Sequence, residues 1–177
     1  MTDVPSVRPG RLVRLGLIAP RPPAMARLAA ACADQAGFDV VWVVDAGTAD
    51  ALRPLVSRAV VAVLPAVDEP WARRLPVSIG RTAAEASARV QNGDVGGLGD
   101  PADGGIFGTL ADGQAAVAQL AADGVVDLRC AVPDGPDLPD VIAQLSAIAV
   151  GSRATHFPGA PRTPDPPPPP WATSTGI

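Results

Sequence analysis

The feature that most constrains this chain is a run from Leu12 to Asp45 in which two apolar segments bracket an amphipathic one with almost no linker. The first, "LVRLGLIA" (12–19), reads as a strand. Pro20, Pro22 and Pro23 break it and can open a helix. From about Ala24 to Ala36 the apolar positions Met25, Leu28, Ala29, Cys32 and Ala36 recur at helical spacing and share one face. Gly37 follows as the residue past the helix end. Residues 39–45, "DVVWVVD", are a nearly unbroken β-branched run, as expected of a strand covered on both faces. This is a β-α-β unit with short links, which should be parallel and right-handed.

The rest of the chain continues in the same alternation. A helix is expected over 48–57, with Thr48 as its N-cap and Asp50 in its first turn. "AVVAVLPAV" (59–67) reads as another covered strand, followed by a polar turn over 68–71 and by "LPVSIG" (75–80), a short strand or extended entry. Thr82 to Glu85 is a capping-box sequence opening a helix to about Val90. A long glycine-rich loop (91–108) follows, with a further strand at 105–107; loops of such length in compact domains tend to be functional or mobile. Thr109 with Asp112 opens a helix to about Asp123, Gly124 stops it, and "VVDLRCAV" (125–132) is the last strand. A helix from 138 to 150 places Leu138, Val141, Ile142, Leu145, Ile148 and Ala149 on one face. The expected fold is α/β, a mostly parallel sheet with flanking helices. Residues 1–10 read as a flexible N-terminus, 11–151 as the domain, and 152–177 as a disordered or polyproline-like tail.

Composition narrows the function classes. The chain has 177 residues, enough for one domain plus a tail, and 47% of them are apolar. With no Tyr and only three each of Phe and Trp, the core must be built from aliphatic layers. A net charge of −4 argues against nucleic acid or an anionic membrane as partner, since both call for a basic face. Cys32 and Cys130 sit in apolar segments without metal-ligand spacing, so buried free thiols are expected. No run reaches membrane-spanning length and the first residues lack a signal-type apolar core, which points to a cytoplasmic location. The only histidine, His156, precedes the tail. Ser57, Ser78 and Ser87 lack a nucleophile elbow, which disfavours a Ser-His-Asp hydrolase. The loop from Gly93 to Gly108 lacks the lysine spacing of a phosphate-binding P-loop.

Two blocks carry a family resemblance. "VRLGLIAPRPPAMARLAAACADQAGFDVVWVVDA" (Val13 to Ala46) resembles the opening β-α-β of the luciferase-like monooxygenase superfamily, whose members are flavin- or deazaflavin-dependent TIM-barrel oxidoreductases. "LPVSIGRTAAEASARV", followed by the stretch from Gly104 to Gly151, resembles that family's C-terminal region, with its Gly-Thr helix start, "GV-DLR" strand and closing amphipathic helix. A (β/α)8 barrel typically takes about 250 residues and rarely fewer than about 200. The resemblance therefore implies an internally truncated, incomplete TIM-barrel-like domain. Loss of central strands exposes two sheet edges, which invite pairing, so a homodimer through those edges is one expectation.

The resemblance implies FMN or a deazaflavin as cofactor and an oxidoreductase, monooxygenase-like activity that is impaired or lost. The alternative is a non-catalytic flavin-binding or association protein derived from that family. In deazaflavin-dependent members the second strand ends in Asp-His near the reacting centre. Here Asp45 matches, but Ala46 stands in the histidine's place, so Asp45 is either a pocket acid or a helix cap. Gly80, Arg81 and Thr82, and Gly108 with Thr109, are helix starts of the sort that holds the flavin phosphate in the family; exposed N–H groups and the helix dipole suit an anion. Glu85 and Asp112 stand at the same starts as acid partners for ordinary capping. "PDGPD" (133–137) delivers two acids at the end of the last strand, where Asp137 is placed to cap the final helix.

Overall fold

The computed structural model describes residues 13–92 and 104–154. Among them lie six strands and five α-helices in the order β1 (Arg14–Ile18), α1 (Pro23–Ala36), β2 (Val40–Val43), α2 (Ala46–Leu52), β3 (Val60–Val63), β4 (Ala72–Ile79), α3 (Ala83–Asn92), β5 (Ile106–Gly108), α4 (Leu110–Ala122), β6 (Asp127–Ala131) and α5 (Leu138–Ala154). The strands form one six-stranded sheet in the order β3-β2-β1-β6-β4-β5. Every pairing in it is parallel.

Several elements differ in detail from expectation. The extended entry at 75–80 is the end of an eight-residue strand, β4, that begins at Ala72. Its first five residues pair with β6 and its last three with β5. The change of partner falls at Pro76, whose missing N–H cannot extend a ladder. The expected loop is shorter at both ends, because α3 runs to Asn92 and β5 begins at Ile106. The final helix continues to Ala154, past the expected start of the tail. The flexible N-terminus, the body of the glycine-rich loop and the remainder of the tail lie outside the described residues.

Alternation along the strands sorts side chains onto two faces. Leu15 and Leu17 of β1, Val41 and Val43 of β2, Val77 and Ile79 of β4, and Leu128 and Cys130 of β6 enter the main core with α1, α2, α4 and α5. Helix α1 reaches that core through Ala26, Ala29, Ala30 and Ala33, a stripe at i, i+3, i+4, i+7. Leu28, expected on the buried face, is 41% exposed; the alanine stripe lets the helix approach the sheet closely. Gly37 ends α1 at φ 82°, where the chain turns back and Phe38 N–H bonds to the Ala33 carbonyl.

The opposite face is covered differently. Ile18, Val40, Trp42 and Ala131 form a smaller apolar cluster there. Beside them Asp127 and Arg129 of β6 are each only 1% exposed. The connection 64–71, which leads from the end of β3 to the start of β4, brings Asp68 and Glu69 to this face. Arg129 donates to Asp127 Oδ2 at 2.9 Å, to Glu69 Oε2 at 2.9 Å and to Asp68. Arg74 donates to Asp68 Oδ1 at 2.8 Å and to the Pro65 carbonyl, and Arg14 to Asp127 Oδ1 at 3.0 Å. Three arginines thus meet three carboxylates, so the buried charge is balanced, as burial requires.

Trp42 completes this layer. The Arg129 guanidinium lies 4.4 Å from the centre of the indole. The indole in turn lies across Gly16, where a Cβ would come within 2.4 Å of Trp42 Nε1. Only glycine at position 16 leaves room for the ring.

Candidate functional site

In an all-parallel sheet the strands end along one edge, and the loops there carry the polar groups that open α/β sheets use for ligands. Asp45 follows β2, Gly80 to Thr82 follow β4, Gly108 and Thr109 follow β5, and Pro133 to Asp137 follow β6. All the residues expected from the sequence therefore share this edge. They do not share one site.

Asp45 is the N-cap of α2, which is the helix-cap alternative for this acid, and Thr48, expected to cap the helix, is its third residue. Thr48 N–H donates to Asp45 Oδ1 and Thr48 Oγ1 to Oδ2, both at 2.8 Å. These bonds, first of all that from the Thr48 N–H, hold the Asp45 carboxyl below its usual range. Both oxygens are used locally. Along the sheet, β1 and β6 separate β2 from β4. Three strand spacings of about 4.8 Å place Asp45 about 14 Å from the β4 end.

The β4 and β5 ends are adjacent, and Gly80 N–H bonds to the Gly108 carbonyl at 2.9 Å. Each helix start after them is closed by its own acid. At α4, Thr109 N–H and Oγ1 donate to Asp112 Oδ2 at 2.8 and 2.7 Å, and Asp112 N–H returns a bond to Thr109 Oγ1. The Asp112 carboxylate lies against Gly108, 2.7 Å from where a Cβ would stand. At α3, Arg81 N–H donates to Glu85 Oε2 at 3.0 Å and Glu85 N–H to Thr82 Oγ1 at 3.2 Å. Arg81 itself projects into solvent, with Nε 3.5 Å from Glu85. Donation from the Thr109 N–H to Asp112, and from the Arg81 N–H to Glu85, lowers both carboxyls, so both are anionic at neutral pH. A flavin phosphate at either start would find the Arg81 or Thr109 N–H group already donating to a carboxylate and would meet that carboxylate's charge. The two helix starts do not fit it.

The space at this edge lies elsewhere. β6 and β4 are neighbours, but the chain leaving β6 turns into α5, against α1 and α4, while the chain leaving β4 turns into α3, against β4 and β5. Where neighbouring strands send their helices apart, a crevice opens. Here it is a cleft of about 360 Å³ between Glu85, Ala88 and Arg89 of α3 and the segment Pro133–Asp137 with Leu138 and Val141 of α5. Arg89 spans its floor, donating to the Ile79 carbonyl at 2.7 Å, to Glu85 Oε1 at 2.7 Å and to Asp137 Oδ2 at 3.2 Å. The Asp137 carboxylate is thus turned to Arg89, while its carbonyl takes the Val141 N–H in the first turn of α5. Beyond the 133–137 ridge a shallower depression is lined by Met25 and Leu28.

Among the described residues no group of three or more His, Cys, Asp or Glu is placed to hold a metal. None of their helices is long and apolar enough to cross a membrane. Cys32 and Cys130 are free thiols. Burial pushes Cys130 up to about 12, so it carries no thiolate at neutral pH. No protein-family model, curated protein or solved structure matches the chain.

The sequence pattern marks the acids of the 133–137 segment but not Arg89, whose partners Ile79 and Asp137 lie on other elements. It also missed the ionic layer. A signal for that layer exists in "VVDLRCAV": Asp127 and Arg129 alternate with Leu128 and Cys130, so one face of a covered strand carries charges that must find partners.

Proposed function

We propose that this chain is a non-catalytic small-molecule-binding protein on a shortened luciferase-like α/β scaffold. In this reading the cleft between α3 and the β6–α5 loop is the binding site, and no flavin is used. The observation that carries it is the self-closure of the β4 and β5 edge, where Glu85 and Asp112 take the Arg81 and Thr109 N–H groups and set a negative charge at each helix start. Asp45 supports the same reading, since its two oxygens serve a helix cap and Ala46 leaves no imidazole beside it. The scaffold's ancestry is supported by the parallel pairing of first and last strands, β1 with β6, as in a ring that closes on itself. The order beyond β6 departs from a ring, because β4 rather than β5 lies next to it.

The test is a visible absorption spectrum of the purified protein, followed by equilibrium dialysis against FMN and a deazaflavin. A colourless protein that retains neither is expected. Stoichiometric retention of either one would refute the non-catalytic reading.

A second association mode is favoured by the β3 edge. Val60 and Val63 are 62% and 41% exposed there, with Val44, Leu55 and Val67 also exposed in the adjoining segments. We propose this edge as the place where two copies pair, by strand addition.

A further inference from the structure

We infer that two copies of this chain pair through β3 in one register, antiparallel about a two-fold axis at Ala62; this rests on reading the β3 edge as the place where two copies meet. The register follows from which backbone groups the edge leaves open. Val60 N–H donates to the Asp39 carbonyl and Leu64 N–H to the Val43 carbonyl, so Val60, Ala62 and Leu64 turn their N–H and C=O groups to β2. Alternation then turns those of Val61 and Val63 outward, where no hydrogen-bond partner stands among the described residues. The positions on either side are closed. Ala59 N–H donates to Asp34 Oδ1 at 2.8 Å, and Pro65 has no N–H while its carbonyl takes Arg74.

Two copies of one strand related by a two-fold axis run antiparallel, and residues in a hydrogen-bonded pair exchange both bonds. With Val61 opposite Val63 of the second copy, and the reverse, the open N–H and C=O groups of both edges are all satisfied. Any shift of register puts Val61 or Val63 opposite Ala59, whose N–H is taken, or Pro65, which has none. Ala62 then faces its own copy on the axis. Val60, 62% exposed, lies beside Leu64 of the second copy, on the sheet face opposite the main core. β3 carries no charged residue, the usual guard of an unpaired edge. A longer peptide strand would bring its N–H and C=O groups against the closed positions, whereas a second copy is bounded in the same places. The two sheets thereby join into one, with both main cores on the same side.

The experiment places single cysteines on β3 of the full chain, in a Cys32→Ser background because Cys32 is the partly exposed thiol, and follows mild oxidation on a non-reducing gel. Ala62→Cys is expected to give a covalent dimer, since facing residues outside the hydrogen-bonded pairs stand about 4.5 Å apart at Cα, within disulfide reach. Val60→Cys and Val63→Cys are expected to stay monomeric on the gel, because in this register each lies more than about 7 Å from its own copy, beyond what a disulfide spans. In the wild-type chain, raising the concentration until it is dimeric should slow amide exchange at Val61 and Val63 about tenfold and leave Val60 unchanged. Linking through Val60→Cys or Val63→Cys as fast as through Ala62→Cys would overturn the register and leave the β3 contact standing. Concentration-dependent protection of Val61 and Val63 without a link at Ala62→Cys would do the same. If none of the three links and these amides exchange equally at every concentration, the β3 contact falls, and the register with it.

Discussion

Replacing Arg129 with Met tests whether the ionic layer closes the second face of the sheet over β1 and β6. Arg129 is 1% exposed and holds three carboxylates, of which Asp127 is equally buried. Methionine fills much of the same space but leaves Asp127 with Arg14 alone, and Arg14 is 43% exposed on its side chain. Removing one partner of a buried pair costs about 3–5 kcal/mol, because the remaining charge stays desolvated. At about 2–4 °C per kcal/mol for a chain of this size, the melting temperature should fall by about 6–20 °C. Arg129→Met combined with Asp127→Leu removes the stranded charge as well and should recover much of the loss, since buried pairs are often replaceable by apolar groups. Urea unfolding followed by far-UV circular dichroism measures the wild type and both variants. A single substitution costing less than about 1 kcal/mol, the level of an exposed pair, would refute the argument that this layer is buried and interdependent.

Three further outcomes follow from the same geometry. Gly16→Ala puts a methyl group within 2.4 Å of Trp42 Nε1, so it should cost about 1–3 kcal/mol in urea unfolding and change the tryptophan emission. Asp34, Asp45, Glu85 and Asp112 all titrate below their ordinary range because of N–H donors that exist only in the fold, with Asp34 taking the Ala59 and Arg58 amides. Their stabilisation is complete above the unfolded carboxylate values of about 4 and is lost as pH falls through the lower folded ones, so the melting temperature should hold from neutral pH to about 5 and drop below about 4. Light scattering on a sizing column should report a dimer that Val60→Lys converts to monomer; a wild-type monomer at every concentration would remove the β3 pairing.

What could be read from the sequence followed the strength of local signals. The β1-α1-β2 unit was legible because helical and strand periods succeed each other between proline and glycine stops. The Thr82–Glu85 and Thr109–Asp112 caps were legible because side-chain capping acts over three residues. The start of α2 was legible only as two alternatives, a cap at Asp45 or at Thr48, because Asp45 reads equally as the last residue of a strand or the first of a turn. The ionic layer and the cleft were not legible. Their members come from β1, β4, β6 and the 64–71 connection in one case, and from α3 and the β6–α5 loop in the other. Only the strand order brings those segments together.

The central claim is that the strand-end edge is closed to flavin phosphates by the chain's own carboxylates. Isothermal titration of FMN and of a deazaflavin into the full chain at neutral pH and low salt tests it most directly. The account predicts no saturable heat for either. Binding of either in the micromolar range, with the Gly80–Thr82 and Gly108–Thr109 amides shifted in the matching NMR titration, would contradict it.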